Sequence, residues 1–239
     1  MLLFYIRHGD PDYHNDSLTY RGDLQAQAVA KRLAAYGIDE VYSSSLGRAM
    51  RTAKPTCDLL GLECKPCDWA TENRAWEGFT ITTDEGLCTW CFFDAKYRRL
   101  LNAPEVRALG DRWYDHPCFE GTHFKEGVLS VSKDVDAFML SLGYRHDTVN
   151  KYFIPEKEND KRIALFSHQG FATIFHSCIL DIPYPLFASH FDICHTGMSV
   201  IEFSTNSEGL VVPTVLQYSG DGHILKDGLP QQYNYSFRF

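Results

Sequence analysis

No stretch of this 239-residue chain approaches the run of about twenty apolar residues that a membrane-spanning helix needs, so a helical membrane protein is not expected. Basic residues are also short. Lys and Arg number 23 against 31 Asp and Glu, a net charge of −8, which argues against a nucleic-acid partner and its basic face. A small anionic ligand is still compatible, because a few arginines in one pocket override the global balance locally. Internal repeats and low-complexity segments are missing. The six apolar residues at the start lack the length, basic flank and small-residue cleavage site of a secretory signal. They read instead as a first strand. The expected location is therefore the cytoplasm, with the eight cysteines as reduced thiols.

Those cysteines include two CxxC pairs, Cys64/Cys67 and Cys88/Cys91, at a separation on the edge of zinc-ribbon spacing. The stretch between the pairs lacks the glycine-rich knuckles of a ribbon, and scattered thiols are the simpler reading. No metal is assigned.

The pattern along the chain is that of an α/β fold. LLFYI is short, apolar and branched or aromatic, as a strand buried on both faces should be. Thr19 and Gly37 bracket an alanine-rich helix as N-cap and stop. DEVYSSSL reads as a second strand ending in serines. GRAMRTAKPTCDLLG follows as a helix that Pro55 must bend or restart, and a weak strand spans residues 62–66. From 84 to 145 no convincing strand is seen. CTWCFFDAKYRRLL, APEVRALGDRWY and LSVSKDVDAFMLSLGY read as helices, which predicts a helical cap insertion within a single domain over 1–239. Residues 150–162 read as a charged loop. RIALFS then repeats the opening device, an apolar strand ending on His168, followed by a helix and two more strand-like runs.

In open α/β sheets ligands bind beyond the carboxyl ends of the strands. Three predicted strand ends carry unusual groups: Arg7-His8-Gly9, then Ser43-Ser44-Ser45 leading to Arg48, and Ser167-His168-Gln169-Gly170. In a parallel sheet all three meet on one edge. Two histidines, two arginines and helix N-termini gathered there describe an anion site, with phosphate the natural anion.

Four strings in order carry a resemblance. They are Arg7-His8-Gly9; Leu18-Thr19, Gly22 and Gln25-Ala26; Ser45-Leu46, Arg48-Ala49 and Thr52-Ala53; and Ser167-His168 with Gly170. Together these resemble the histidine phosphatase superfamily, the group that includes the cofactor-dependent phosphoglycerate mutases. The resemblance covers both flanks of the sheet and leaves the middle third uncovered. It implies a phosphoglycerate mutase-like fold with a mostly parallel central sheet flanked by helices. It also implies a phosphomonoesterase acting on a small phosphorylated metabolite through a phosphohistidine, without metal or organic cofactor.

The resemblance further implies that His8 is the nucleophile. One of its ring nitrogens must be free while the other donates a hydrogen bond. Arg7 and Arg48 would grip the nonbridging oxygens, with Gly9 allowing close approach and Gln169 beside the substrate. Arg51, three residues from Arg48, is the alternative arginine. His168 would donate to a phosphate oxygen as a cation, while His176, His195 and His223 have weaker context, His195 bordering the pocket at most. A general acid is needed for the leaving oxygen. Glu72 is the choice and Glu77 its rival, because fewer residues than usual separate Glu72 from Trp76-Glu77-Gly78. The mutases' usual Glu or Gln and Ser or Thr after RHG are replaced by Asp10-Pro11-Asp12, two carboxylates that should disfavour a doubly phosphorylated substrate. Hydrolysis is thus favoured over a mutase-type phosphotransfer, with a non-catalytic phospho-ligand sensor as the third reading. Aromatic residues of the insertion, Trp90, Phe92, Phe93, Trp113 and Phe124 among them, should form a small core, with one or two contacting an apolar or aromatic leaving group.

Overall fold

A computed structural model describes residues 1–235; the last four residues of the expected 1–239 domain lie outside it. The central sheet has six strands: β1 (Leu2–Arg7), β2 (Glu40–Ser44), β3 (Cys64–Cys67), β4 (Arg162–Ser167), β5 (Met198–Glu202) and β6 (Thr214–Gly220). Their order is β6-β5-β1-β4-β2-β3. β1, β4, β2 and β3 run parallel, while β5 is antiparallel to both of its neighbours.

Side-chain parity along β1 explains why its sequence is apolar throughout. Leu3 and Tyr5 point into one buried cluster and Phe4 and Ile6 into another on the opposite face. The second cluster is closed by α1 (Tyr20–Tyr36) and α2 (Gly47–Leu60), through Val29, Leu33 and Ala53. Thr19 caps α1 by accepting from the Gly22 N–H, and Gly37 ends it in the left-handed conformation, as the sequence predicts. α2 is one helix. Pro55 neither restarts it nor ends it, giving up only its bond to the turn before.

On the other face lie α3 (Glu72–Phe79), α4 (Ala95–Leu101), α5 (Phe124–Ser141), α6 (Gln169–Leu180) and α7 (Tyr184–His190). Residues of the 84–145 stretch, including Trp113, Phe124 and Val135, share one buried cluster with Leu3, Tyr5 and Leu165 of the sheet.

Three expectations fail here. Cys88–Trp90 is a strand, paired antiparallel with Thr80–Thr82, where a helix was predicted. Trp90 is held by Trp76, edge-on at 5.0 Å, and by Phe92, a tertiary fixing that local periodicity does not reveal. Residues 150–162 are not simply a loop, since Tyr152–Pro155 pairs with Tyr144–Asp147. The hairpin turns on Asp147, whose carboxylate accepts from the Val149 and Asn150 N–H groups. The APEVRALGDRWY segment is also shorter-ranged than predicted, one turn at Pro104–Arg107 and then a 3₁₀ stretch, Gly110–Asp115.

Candidate active site

The parallel register brings the predicted strand ends level. Arg7 lies beside Ser167 and Ser43 beside Phe166, so His8, Ser44 and His168 leave the sheet together. The His8 and His168 ring centroids are 5.2 Å apart. Both rings are buried.

His8 Nδ1 lies 2.7 Å from the Gly9 carbonyl. A carbonyl oxygen only accepts, so Nδ1 carries the proton and Nε2 presents a lone pair. Burial holds the ring well below its ordinary pKa, with His168, Arg7 and Arg48 adding to the effect, so His8 is neutral. Its neighbour Gly9 is required for a reason other than phosphate approach: a Cβ there would come within 2.7 Å of the Gly22 carbonyl oxygen.

His168 Nε2 is 2.7 Å from Ser44 Oγ. That hydroxyl accepts from the Leu46 N–H, and Nε2 is the acceptor that the structure offers its own hydrogen; with the hydroxyl donating to Nε2, the imidazole proton sits on Nδ1. Burial, with Arg48 and Arg7, lowers the His168 pKa well below the usual value. The cationic His168 of the sequence reading is therefore corrected to a neutral donor. Desolvation outweighs any carboxylate attraction, the Glu72 Oε2 contact being 3.6 Å long.

Glu72 opens α3 and reaches the same space. Its Oε1 accepts from the Phe171 N–H at 3.3 Å, in the first turn of α6. A Cβ on Gly170 would stand 2.6 Å from Oε1 and 2.3 Å from Trp90, which is why glycine follows Gln169. Burial raises the Glu72 pKa against the pull of Arg48 and Arg7. Glu77 is exposed and faces a separate cavity with Arg74 and His123, so it is not brought to the histidines.

Arg7 is fully buried. It donates from Nη1 to the Ile193 carbonyl at 2.7 Å and from Nη2 to Asn234 Oδ1. Arg48 donates to Asp16 Oδ1 at 2.6 Å, and Asp16 also accepts from the Gly47 N–H at the start of α2. Arg51 points away, paired with Asp23 on the surface. Gln169 is buried and donates to Asp192 Oδ1 at 2.8 Å.

The sequence reading underrates His195. Its ring stacks on His8 at 5.9 Å, its Nδ1 is 3.6 Å from Asp10 Oδ1, and burial and Arg7 push its pKa down to about 3. Asn234 was missed altogether: its Oδ1 is shared by Arg7 and His195 Nε2. The only signal for His195 was its place before β5; Asn234 had none. Asp12 is occupied in its own turn, accepting from the His14 and Asn15 N–H groups, so of the two loop carboxylates Asp10 alone touches the histidines.

Among the described residues, four of the eight buried side-chain nitrogens and oxygens without a hydrogen-bond partner belong to this site: Arg7 Nε, Arg48 Nε, His168 Nδ1 and His195 Nδ1. Three carry N–H donors by the assignments above or by chemistry. Buried donors left unpaired are costly, and an anion is what satisfies several at once. His8, Glu72 and His168 also offer ligand atoms within 4.8 Å of one another, a possible cation triad. The two guanidiniums beside it oppose a divalent cation and favour an oxyanion. The two CxxC pairs do not gather into a metal-ligand group among the described residues.

The model of the histidine phosphatase superfamily (branch 1) matches residues 3–112. Over that stretch, just under half of the chain, the sequence is similar to the histidine phosphatase superfamily. Among curated relatives, the probable phosphoglycerate mutase GpmB of Yersinia enterocolitica is 37% identical over 70 residues, covering 26% of this chain and 33% of the relative. The same-named protein of Proteus mirabilis is 35% identical over 81 residues, 30% of this chain and 35% of the relative. The chain thus spans about a third of the length of the curated relatives it matches. Among solved structures, phosphoserine phosphatase of Entamoeba histolytica with 3-phosphoglyceric acid superposes with a TM-score of 0.60 at 21% identity, over 93% of this chain and 98% of that one. A mycobacterial glucosyl-3-phosphoglycerate phosphatase gives 0.58 at 19% identity, over 92% and 99%. At such identities the likeness shows the fold: an α/β sheet, mainly parallel, between layers of helices. No helix among the described residues is long and apolar enough to cross a membrane.

Proposed function

We propose that the chain is a phosphomonoesterase of the histidine phosphatase kind, acting on a small phosphorylated metabolite. The observation that carries this reading is the set of unpartnered buried donors around a histidine whose Nε2 is free. A phosphoryl group bound there accepts from Arg7 and Arg48, and from His168 as a neutral Nδ1–H donor. His8 Nε2 attacks phosphorus in line, and the bond to the leaving oxygen breaks. Glu72, whose carboxyl burial shifts toward the protonated form, gives its proton to that oxygen. The Glu72 carboxylate then takes a proton from water, whose oxygen attacks the phosphohistidine and releases inorganic phosphate with His8 restored. The arginines and histidines supply the charge stabilisation on the three nonbridging oxygens.

Asp10 beside His195 favours hydrolysis over transfer between two phosphorylated positions, because a carboxylate next to the anion cradle repels a second phosphate. His8→Ala tests the proposal with p-nitrophenyl phosphate. Activity should fall to background while the circular dichroism spectrum is unchanged; full turnover by the variant contradicts the reading. Incubation with phosphoglycerate separates the alternatives. A hydrolase releases phosphate, a mutase exchanges isomers with little release, and a sensor does neither.

A further inference from the structure

A cavity of about 510 Å³ adjoins the anion cradle, with Gln169 and Asn234 in its lining. Gln169 follows His168 directly, and Asn234 Oδ1 holds Arg7 and His195, so the cavity begins where the cradle ends. Four aromatic rings line it, Phe92, Phe93, Phe191 and Tyr235, together with Arg98, Ser189, His190 and Asp192. Three of these are unusually open for large rings, Phe93 at 40%, Phe191 at 43% and Tyr235 at 49% exposed.

These rings continue a ladder that starts beside Glu72. Trp90 packs against Gly170, where a Cβ would also stand 2.6 Å from Glu72 Oε1. Trp90 stacks on Phe92 at 5.3 Å, Phe92 meets Phe93 edge-on at 4.7 Å, and Phe93 meets Tyr235 edge-on at 6.2 Å. Phe191 also lines the cavity, braced by Phe187 at 4.6 Å. An alcohol leaving from phosphorus toward Glu72 therefore leaves along aromatic faces. Open ring faces recognise planar π-systems by offset or edge-on packing, over and above the area they bury. Much of the polar lining is already engaged, Gln169 with Asp192, Asn234 with Arg7 and His195, and Arg98 with the Ser189 carbonyl, which leaves the open ring faces as the main surface for a leaving group.

We infer that this cavity is the leaving-group site and that it selects aryl phosphomonoesters, whose ring lies between Phe93 and Phe191. The inference rests on the phosphatase reading above. Intrinsic reactivity also favours aryl esters, so the test compares variants and not substrates alone. The ratio of kcat/KM for 2-naphthyl phosphate to that for β-glycerophosphate is measured in the wild type, Phe93→Ala and Phe191→Ala. Each variant should lower the ratio about tenfold, with glycerophosphate turnover within about twofold of wild type. That retained turnover also shows the variants to be folded. A ratio unchanged in both variants, with the wild type hydrolysing both esters in a His8-dependent manner, overturns the aryl site and leaves the phosphatase reading standing. A wild type that hydrolyses neither ester overturns both.

Discussion

In the proposed reaction, His8 and Glu72 divide the chemistry through opposite environments. His8 is held neutral by burial and surrounding positive charge, so its protonation does not limit the acid side of the reaction at ordinary pH. Glu72 must be protonated to act, and burial raises its pKa. Activity should therefore decline as pH rises through the Glu72 value, not as pH falls toward it. Glu72→Gln should lower kcat on an alkyl phosphate by about 10²–10⁴ and remove the alkaline limb of the pH profile. Its effect on p-nitrophenyl phosphate should be much smaller, since that leaving group hardly needs a proton; equal losses on both would assign Glu72 to binding or folding. At this scale the motifs made His8, Arg7, Arg48 and His168 legible. They could not separate Glu72 from Glu77, because that choice depends on which turn of α3 faces α6. They missed Asn234, which reaches the site only through the path of the chain after β6.

Elements position these groups by close backbone contact. α3 crosses α5 at Gly78 and Gly127, where a Cβ on Gly78 would stand 2.6 Å from the Gly127 Cα. Gly78→Ala should cost about 1–3 kcal/mol in stability through overpacking. It should also reduce activity by more than the loss of folded protein explains, because α3 carries Glu72. Thermal unfolding beside kcat/KM of the folded fraction checks this, and an intact kcat/KM would uncouple the crossing from the site. The strands of the central sheet were readable because each is buried on both faces and ends on a group that does not belong in a core. The hairpin strands Cys88–Trp90 and Tyr152–Pro155 were not. Each is three or four residues long and is held by tertiary partners rather than by alternation.

Over the whole molecule, buried histidines set the response to pH. Burial pushes His176 and His223 down to about 4 and His195 to about 3, from an unfolded value near 6.5. Below pH 6.5 the unfolded chain binds protons that these folded residues refuse, so stability is lost as pH falls. Each such histidine costs up to about 1.4 kcal/mol per pH unit until its own folded pKa is reached. His146 acts oppositely. Burial lowers it, but hydrogen bonds to Asp136 and Asp181 prevail and bring it up to about 9. Its contribution is full below pH 6.5 and is lost as pH rises through 9. Melting temperature should therefore peak near pH 6.5, decline gently toward pH 9 and drop steeply toward pH 5; a maximum at pH 5 would contradict the buried neutral histidines. The sheet order and the meeting of distant strand ends followed from the parallel pattern. The aromatic cavity did not, because its walls come from three separated segments around Phe93, Phe191 and Tyr235. The most direct test of the central claim is ³¹P NMR of the phosphoenzyme trapped from an aryl phosphate by rapid denaturation in base. Phosphorus should appear on the Nε2 of His8 and vanish in His8→Ala, whereas an active enzyme that accumulates no phosphohistidine, or carries it on another residue, would contradict the account.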